Sequence, residues 1–255
     1  MFRHIKDLQF TARPDGPDAA FARRLQEALG GKWGELTLAH QYLFQGWSCR
    51  LPGKYKDLLL DVGTEEMAHV EMICTMIARL LQDAPVSVRD AAAEQNPNHL
   101  VQAGGGALPM DGNGVPWSGA YVTASGNLLA DFHANATAEM QSRLQLARLF
   151  HMTDDPGVKQ MLRFLIARDT MHQRLWLAAI DELGRDGIEE LPVPDAFPDA
   201  RAEAEHATTY LSFSAGGDGR IWPASHHDEP HADGGITVLP AGDPQLYSSQ
   251  PRDET

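Results

Sequence analysis

Residues 63–72 read GTEEMAHVEM, and this stretch decides the fold that we predict for the chain. It places two carboxylates, Glu65 and Glu66, and an imidazole, His69, in a segment with the apolar spacing of an α-helix. An α-helix turns by about 100° per residue, so side chains three or four positions apart share one face. Either glutamate could therefore bind a metal ion together with His69. A single such pattern, without a second one elsewhere in the chain, is more typical of a solvated helix face.

The same spacing recurs in residues 166–176, IARDTMHQRLW. Here Asp169 precedes His172 by three positions. The residue four positions before His172 is Arg168, whose guanidinium cannot be a metal ligand. The repeat therefore favours Glu66 over Glu65 as the carboxylate of the first pattern. We expect Glu65 either to lie beside the ligands or to face solvent.

Each pattern is preceded by a glutamate on an earlier helical segment. Glu35 stands before Glu66, and Glu139 stands at a nearly equal distance before Asp169. Both lie in largely apolar segments, where a carboxylate is costly to bury unless charged partners surround it. Four carboxylates and two imidazoles balance two divalent cations and suit manganese or iron better than a metal that prefers thiolates. The arrangement predicts a dinuclear metal site.

Apolar periodicity predicts one short helix followed by four long ones. The short helix is expected over 18–29, and the long helices over 34–48, 55–81, 125–150 and 155–183. Ferritin-like carboxylate proteins have the same layout. Two of their helices each contribute one glutamate, and the other two each contribute a carboxylate–histidine pair. We therefore predict an all-α, ferritin-like four-helix bundle with one long crossover and an irregular C-terminal extension.

The crossover is expected over 83–121, which is rich in Gly, Pro and Asn. A connection of that length carries the chain from one end of a bundle to the other. We assign residues 1–184, with the N-terminal segment and the crossover, to the ferritin-like bundle domain that carries the predicted metal site. Residues 185–255 lose the helical periodicity. We expect them to form an extension that wraps the bundle or a neighbouring subunit.

The composition narrows the classes of partner. The chain has 21 Lys and Arg against 35 Asp and Glu, a formal net charge of −14, which argues against binding nucleic acid or an anionic membrane. No apolar run has the length of a membrane span, and no secretory signal is visible. Its two cysteines, Cys49 and Cys74, lack a CxxC spacing and suit a reducing compartment. We expect a cytoplasmic protein, and association with a spore coat or another shell stays open.

Several long blocks of the sequence resemble the non-haem manganese catalases. They are KYKDLLLDVGTEEMAHVEM (54–72), GAYVTASGNLLADFHANATAEMQSRLQLARL (119–149) and FLIARDTMHQ (164–173). The resemblance extends over about residues 1–220 and keeps the blocks in order and at the expected separations. It implies a homohexamer that holds two manganese ions per subunit and converts hydrogen peroxide to dioxygen and water.

Carried over residue by residue, the resemblance implies five manganese ligands, with Glu66 as the carboxylate that bridges the two ions. These ligands are Glu35, Glu66, His69, Glu139 and His172. Some members of the family also bind a structural calcium ion through oxygen ligands. The positions that match that calcium site are Asp57, Asp61, Ser212, Ser214 and Gly216. A plain acidic pair at helical spacing is the alternative for the two aspartates.

Asp169 departs from the family pattern, which often has a longer Glu at this position. Because Asp is one methylene shorter, it can fall short of the metal and instead orient His172 or handle a proton. We expect Asp169, together with the bridging Glu66, to be catalytic. Tyr42 stands seven residues after Glu35 and so shares its face, where it either hydrogen-bonds a ligand or fills the core.

Two alternatives to a catalase remain at this stage. One is another ferritin-like enzyme, such as a di-iron peroxidase or oxidase, because the ligand set alone does not separate manganese from iron. The other is a structural coat or storage protein on the same fold, because a fold does not fix a function.

Overall fold

The structure is a computed structural model, which describes residues 5–51, 53–83 and 106–188. The described ranges contain five α-helices, one short 3₁₀ turn and no strand. The helices are α1 (Ala19–Gly30), α2 (Glu35–Ser48), α3 (Gly53–Leu81), α4 (Leu128–Phe150) and α5 (Pro156–Arg185). The prediction of one short and four long helices is therefore confirmed.

Side-chain caps explain where three of the helices begin. The carboxylate of Asp18 accepts a hydrogen bond from the backbone N–H of Phe21 at the start of α1. The carboxylate of Asp155 does the same at the start of α5, where Pro156 occupies the first turn. Helix α4 begins at Leu128, three residues later than predicted, because Asn127 is its cap. Such caps satisfy backbone donors that have no partner within the helix.

The four long helices pack as two pairs. Helix α2 packs along α3 and α4 packs along α5, and the pairs meet through contacts of α2 with α4 and of α3 with α5. Gly63 allows the first pair to pack closely, because a Cβ atom there would lie 2.9 Å from Cγ of Leu43. Helix α1 packs mainly on α3.

Two apolar clusters fill the bundle and leave a polar layer between them. One cluster includes Ile73 of α3 and Leu162 of α5, and it also takes in α1. The other includes Leu59 of α3, Phe132 of α4 and Trp176 of α5. On each of α3, α4 and α5 the two clusters are separated by about two to three turns, which carry the predicted metal ligands. The core of the bundle is thus apolar on both sides of its polar layer.

Part of the crossover lies in the described ranges. Residues 106–118 have no helix, and Met110 forms an isolated antiparallel bridge with Pro116. The side-chain amide of Gln26 on α1 donates to the carbonyl of Met110 at 2.8 Å and so ties this segment to the bundle. The rest of the crossover, and nearly all of the predicted 185–255 extension, lie outside the described residues. The division at residue 184 therefore stays a prediction.

Within the described ranges, no helix combines the length and hydropathy that crossing a membrane requires.

Burial along α5 predicts where truncation destabilises the bundle. Leu162 is fully buried in the first cluster, whereas Leu177 on the same helix is 49% exposed. We expect Leu162→Ala to lower the free energy of unfolding by about 2–5 kcal/mol, because it leaves a cavity. The matched change Leu177→Ala should cost less than about 0.5 kcal/mol. Denaturant unfolding of the metal-free protein measures both values, and equal losses would contradict the assigned burial.

Candidate metal centre

The polar layer consists of six ionisable side chains, none of which has any exposed surface. They are Glu35, Glu66, His69, Glu139, Asp169 and His172. Every one comes from the four long helices, at positions that the two sequence patterns and their preceding glutamates single out. All five predicted manganese ligands and Asp169 are thus brought together. Whether each of them ligates a metal stays a prediction.

The first group of possible ligand atoms surrounds His69. Atoms of Glu35, Glu66, His69 and Asp169 all lie within 4.8 Å of one another. The ring Nδ1 of His69 is 2.6 Å from Oε2 of Glu66 and 3.6 Å from Oε2 of Glu35. Asp169 is grouped with the histidine of the facing helix, although the sequence spacing had suggested a role beside His172. The orienting role predicted for it there stays untested.

The second group surrounds His172 and shares one residue with the first. Atoms of Glu66, Glu139 and His172 lie within 4.8 Å of one another. Nδ1 of His172 is 2.7 Å from Oε1 of Glu66 and 3.7 Å from Oε1 of Glu139. Glu66 therefore presents one oxygen to each histidine. This geometry offers positions for two cations, which would share the carboxylate of Glu66.

Unpartnered atoms test whether a metal fits here. Several buried polar atoms of the cluster have no hydrogen-bond partner among the described residues, including both oxygens of Glu35 and of Asp169, Oε2 of Glu66 and of Glu139, and both ring nitrogens of His69. His69 and Glu66 approach closely but without hydrogen-bond alignment. Buried polar groups without partners are costly. Carboxylate oxygens and imidazole nitrogens that converge in a dry layer fit divalent manganese or iron.

Mutual repulsion of the carboxylates appears in their pKa values. Burial, followed by the negative charges of Glu66 and Asp169, raises the pKa of Glu35 and of Glu139 well above the usual range. Burial and the charge of Glu66 likewise raise the pKa of Asp169 to about 7. Four carboxylates cannot all ionise in so small a volume without compensating positive charge. Two divalent cations would supply that charge.

The histidines show the complementary effect. Burial acts to lower the pKa of His172, but close contacts with the carboxylates of Glu65 and Glu66 outweigh it and raise the pKa to about 10. Burial opposes the same rise at His69, whose pKa is raised by the charge of Glu66. Burial also acts to raise the pKa of Glu66, yet the two histidines hold it below the usual range. Without a metal, protons on the imidazoles take the place of its charge.

Two aromatic donors hold Glu139. The hydroxyl of Tyr42 donates to Oε1 of Glu139 at 2.7 Å, and the indole Nε1–H of Trp176 donates to the same oxygen at 3.1 Å. Tyr42 is fully buried, so it both hydrogen-bonds a predicted ligand and fills the core. Trp176 was not predicted from the sequence. Its position four residues after His172, on the same helix face, was the available signal.

Glu65 lies outside both groups, and of the two positions expected for it, beside the ligands or facing solvent, its contacts favour the first. Its carboxylate accepts two hydrogen bonds from the guanidinium of Arg168, at 2.6 and 3.0 Å, and one from the amide of Gln9 at 2.7 Å. Burial acts to raise the pKa of Glu65, but contacts with His172 and these donors outweigh it and hold the pKa well below the usual range. In the sequence pattern, Arg168 is only a residue that cannot be a metal ligand. Its ion pair with Glu65 was not predicted.

The calcium prediction is only partly covered by the structure. Asp57 and Asp61 are both exposed on α3. Ser212, Ser214 and Gly216 lie outside the described residues. The calcium site therefore stays a prediction.

Comparison with known proteins identifies the family. The family model described as manganese containing catalase matches residues 1–252. A manganese catalase of Bacillus subtilis is 56% identical over 226 residues, 85% of this chain and 82% of that protein. A manganese catalase of Lactiplantibacillus plantarum is 42% identical over 272 residues, 98% of this chain and 100% of that protein.

A solved structure supports the same assignment. The crystal structure of KatB, a manganese catalase from Anabaena PCC7120, matches with a TM-score of 0.74 and 25% identity, over 96% of this chain and 100% of that one. The ferritin-like helical bundle predicted from the ligand layout is thereby confirmed. The resemblance carried by the sequence blocks is confirmed as well, and the chain belongs to the family of manganese-containing catalases.

Proposed function

We propose that the polar layer binds two manganese ions per subunit and that the enzyme disproportionates hydrogen peroxide there. One observation carries the proposal. Two groups of buried, unpartnered oxygen and nitrogen atoms meet at the two oxygens of Glu66. Glu35 and His69 would hold one ion and Glu139 and His172 the other, with Glu66 between them. Membership of the manganese-containing catalases supports manganese over iron in these positions.

The reaction balances as two molecules of hydrogen peroxide giving one of dioxygen and two of water. One peroxide loses two electrons and two protons, and the other gains them and splits its O–O bond. When bound, a manganese pair supplies the two-electron redox chemistry and the Lewis acidity for this exchange. The polypeptide has to hold the geometry, exclude bulk water and move two protons.

Particular side chains meet these needs. Tyr42 and Trp176 fix Oε1 of Glu139, whereas its Oε2 is buried without a hydrogen-bond partner among the described residues. The two apolar clusters close the layer from above and below, so charges in it are not screened by water. Asp169 has both oxygens buried without partners beside Glu66, which supports its role as the proton carrier of the site.

A homohexamer, a cytoplasmic location and the structural calcium ion complete the proposal. Phe44 and Trp47 on α2 are 49% and 50% exposed and contact each other edge to face, which supports a neighbouring subunit that covers them. Both cysteines are free and partly buried, as suits a reducing compartment. The calcium ion rests on the resemblance to the family, which matches Asp57 and Asp61, one turn apart on α3, to two of its ligands.

Metal content and oxygen release test the proposal directly. We expect purified protein loaded with manganese to hold two ions per chain, measured by elemental analysis. An oxygen electrode should record one O₂ for every two peroxide molecules consumed. Iron in place of manganese, or peroxide consumption without that ratio of O₂, would favour a di-iron peroxidase or oxidase. Tight metal binding with negligible turnover would favour a storage or coat protein.

Removal of the shared carboxylate should abolish activity without unfolding the chain. We expect Glu66→Ala to lower O₂ evolution by more than about a hundredfold, since loss of even an outer partner of a metal ligand costs roughly 10- to 100-fold. The matched control is Glu71→Ala, on the exposed face of the same helix. Circular dichroism should show unchanged helix content in both variants. Full activity in Glu66→Ala would refute the assignment.

The pKa shifts predict how the stability of the metal-free protein depends on pH. The pKa of Asp169 is raised from 3.8 to about 7 and that of His172 from 6.5 to about 10, and those of Glu35 and Glu139 are raised too. Between about pH 5 and pH 8 the folded protein therefore keeps protons that the unfolded chain has released, so its stability falls as the pH rises. The lowered pKa of Glu66 adds no slope there, because its contribution is complete above the ordinary value of 4.5.

Manganese should reverse this trend. Its ligands must be deprotonated, so the stabilisation by bound metal grows with pH. We expect the difference in Tm between manganese-loaded and chelator-treated protein to widen from mildly acidic to mildly alkaline pH, measured by differential scanning fluorimetry. Parallel Tm curves would show that manganese does not bind at the titrating cluster.

A further inference from the structure

We propose that Glu65 is a positioning residue for the two histidines of the centre, acting foremost on His172, and that Arg168 holds it in place. This role rests on the proposed dinuclear manganese site. Glu65 belongs to neither group of possible ligand atoms, and its side chain is 20% exposed where those of the groups are fully buried. Its part in the chemistry is therefore indirect.

The two imidazoles are presented in the same way. Each ring turns Nδ1 toward Glu66, at 2.6 Å from His69 and 2.7 Å from His172. Each turns Nε2 toward Glu65, at 3.8 Å from His69 and 3.1 Å from His172. The rings are nearly parallel, with centroids 5.8 Å apart. Glu65 and Glu66, adjacent in the sequence, thus lie on opposite edges of the histidine pair.

This placement matters because a histidine binds a metal through only one ring nitrogen. A hydrogen bond from the other ring N–H to a carboxylate fixes the tautomer and the ring orientation and makes the ligand more basic. Glu65 is the carboxylate on the Nε2 side of both rings. Its Oε2 lies 3.1 Å from Nε2 of His172, and that nitrogen has no other hydrogen-bond partner among the described residues. A proton held on Nε2 leaves Nδ1 of His172 as the nitrogen that can bind a metal.

A partly exposed carboxylate needs support to act as a fixed acceptor. Arg168 provides this support through a bidentate contact, in which its Nε lies 2.6 Å from Oε1 of Glu65 and its Nη2 lies 3.0 Å from Oε2. A planar guanidinium matches a carboxylate in this geometry, which a lysine cannot reproduce. The amide of Gln9, from the segment before α1, adds a third hydrogen bond. The side chain of Glu65 is thereby held on both of its oxygens.

The repeated sequence pattern explains why these two residues meet. Glu65 stands four residues before His69, and Arg168 stands four residues before His172. They are therefore the same position in the two repeats, filled by opposite charges. Because α3 and α5 face each other across the polar layer, the two positions come together and pair. One position supplies the acceptor for the histidines and the other supplies its counter-charge.

Manganese binding by the Glu65→Gln variant tests the role. The metal-free protein is titrated with Mn²⁺ against a competing chelator, which gives both the affinity and the number of ions. We expect Glu65→Gln to weaken binding by roughly 10- to 100-fold, the usual effect of losing an outer partner of a metal ligand. The ion beside His172 should be lost first. Glu71→Gln, an exposed glutamate on the same helix, should bind like the wild type.

Two further variants separate positioning from folding. Arg168→Gln should weaken Mn²⁺ binding less than Glu65→Gln, and the double variant should bind no worse than Glu65→Gln alone, because Arg168 acts through Glu65. Glu65→Asp keeps the charge but withdraws it from His172, so we expect intermediate affinity. In the cobalt(II)-substituted protein, the shifted ring N–H signal of His172 should exchange faster with solvent in Glu65→Gln while the backbone N–H groups of α5 keep their exchange rates, a combination that loss of stability alone would not produce.

The outcomes distinguish this role from the proposed function. If the wild type binds two manganese ions and Glu65→Gln binds both as tightly, with unchanged N–H exchange, Glu65 has no positioning role and the proposed centre stands. If the wild type binds no manganese, both proposals fail. An effect of Arg168→Gln that adds fully to that of Glu65→Gln would show that Arg168 acts independently.

Discussion

Four carboxylates and two imidazoles, buried in the middle of a helical bundle, are the constraint on which this structure depends. In an apolar interior such a cluster is unfavourable unless positive charge neutralises it. The molecule meets this by dividing its core into two apolar clusters with one polar layer between them. The long helices follow from the same need, because each must contribute to both clusters and to the layer. In the metal-free protein, protons supply part of the missing charge, as the raised pKa values of His69 and His172 show.

Much of the fold and most of the centre could be predicted from the sequence, because the information is local. A carboxylate and a histidine three positions apart must share a helix face, and Asn, Asp and Pro mark where helices begin. The preference for Glu66 over Glu65 also came from a local comparison of two repeats. All five predicted helices are present in the structure, and the six ionisable side chains converge in the polar layer.

What the sequence analysis missed depends on contacts between helices. Trp176 and Arg168 act on residues about 40 and about 100 positions away, and no spacing rule links a donor on one helix to an acceptor on another. The grouping of Asp169 with His69 has the same origin. Its neighbour on the helix is His172, but the crossing of α3 and α5 determines which atoms it faces. Such contacts follow from packing, which periodicity does not specify.

The single shared carboxylate makes the two halves of the centre interdependent. The two helix pairs repeat one pattern, yet Glu66 serves both histidines while its counterpart, Asp169, is shorter and belongs to only one group. The repeat in the sequence is therefore not a symmetry of the centre. Neither half can be rebuilt alone, because any change at position 66 alters the surroundings of both His69 and His172, whereas a change at position 169 begins in one half.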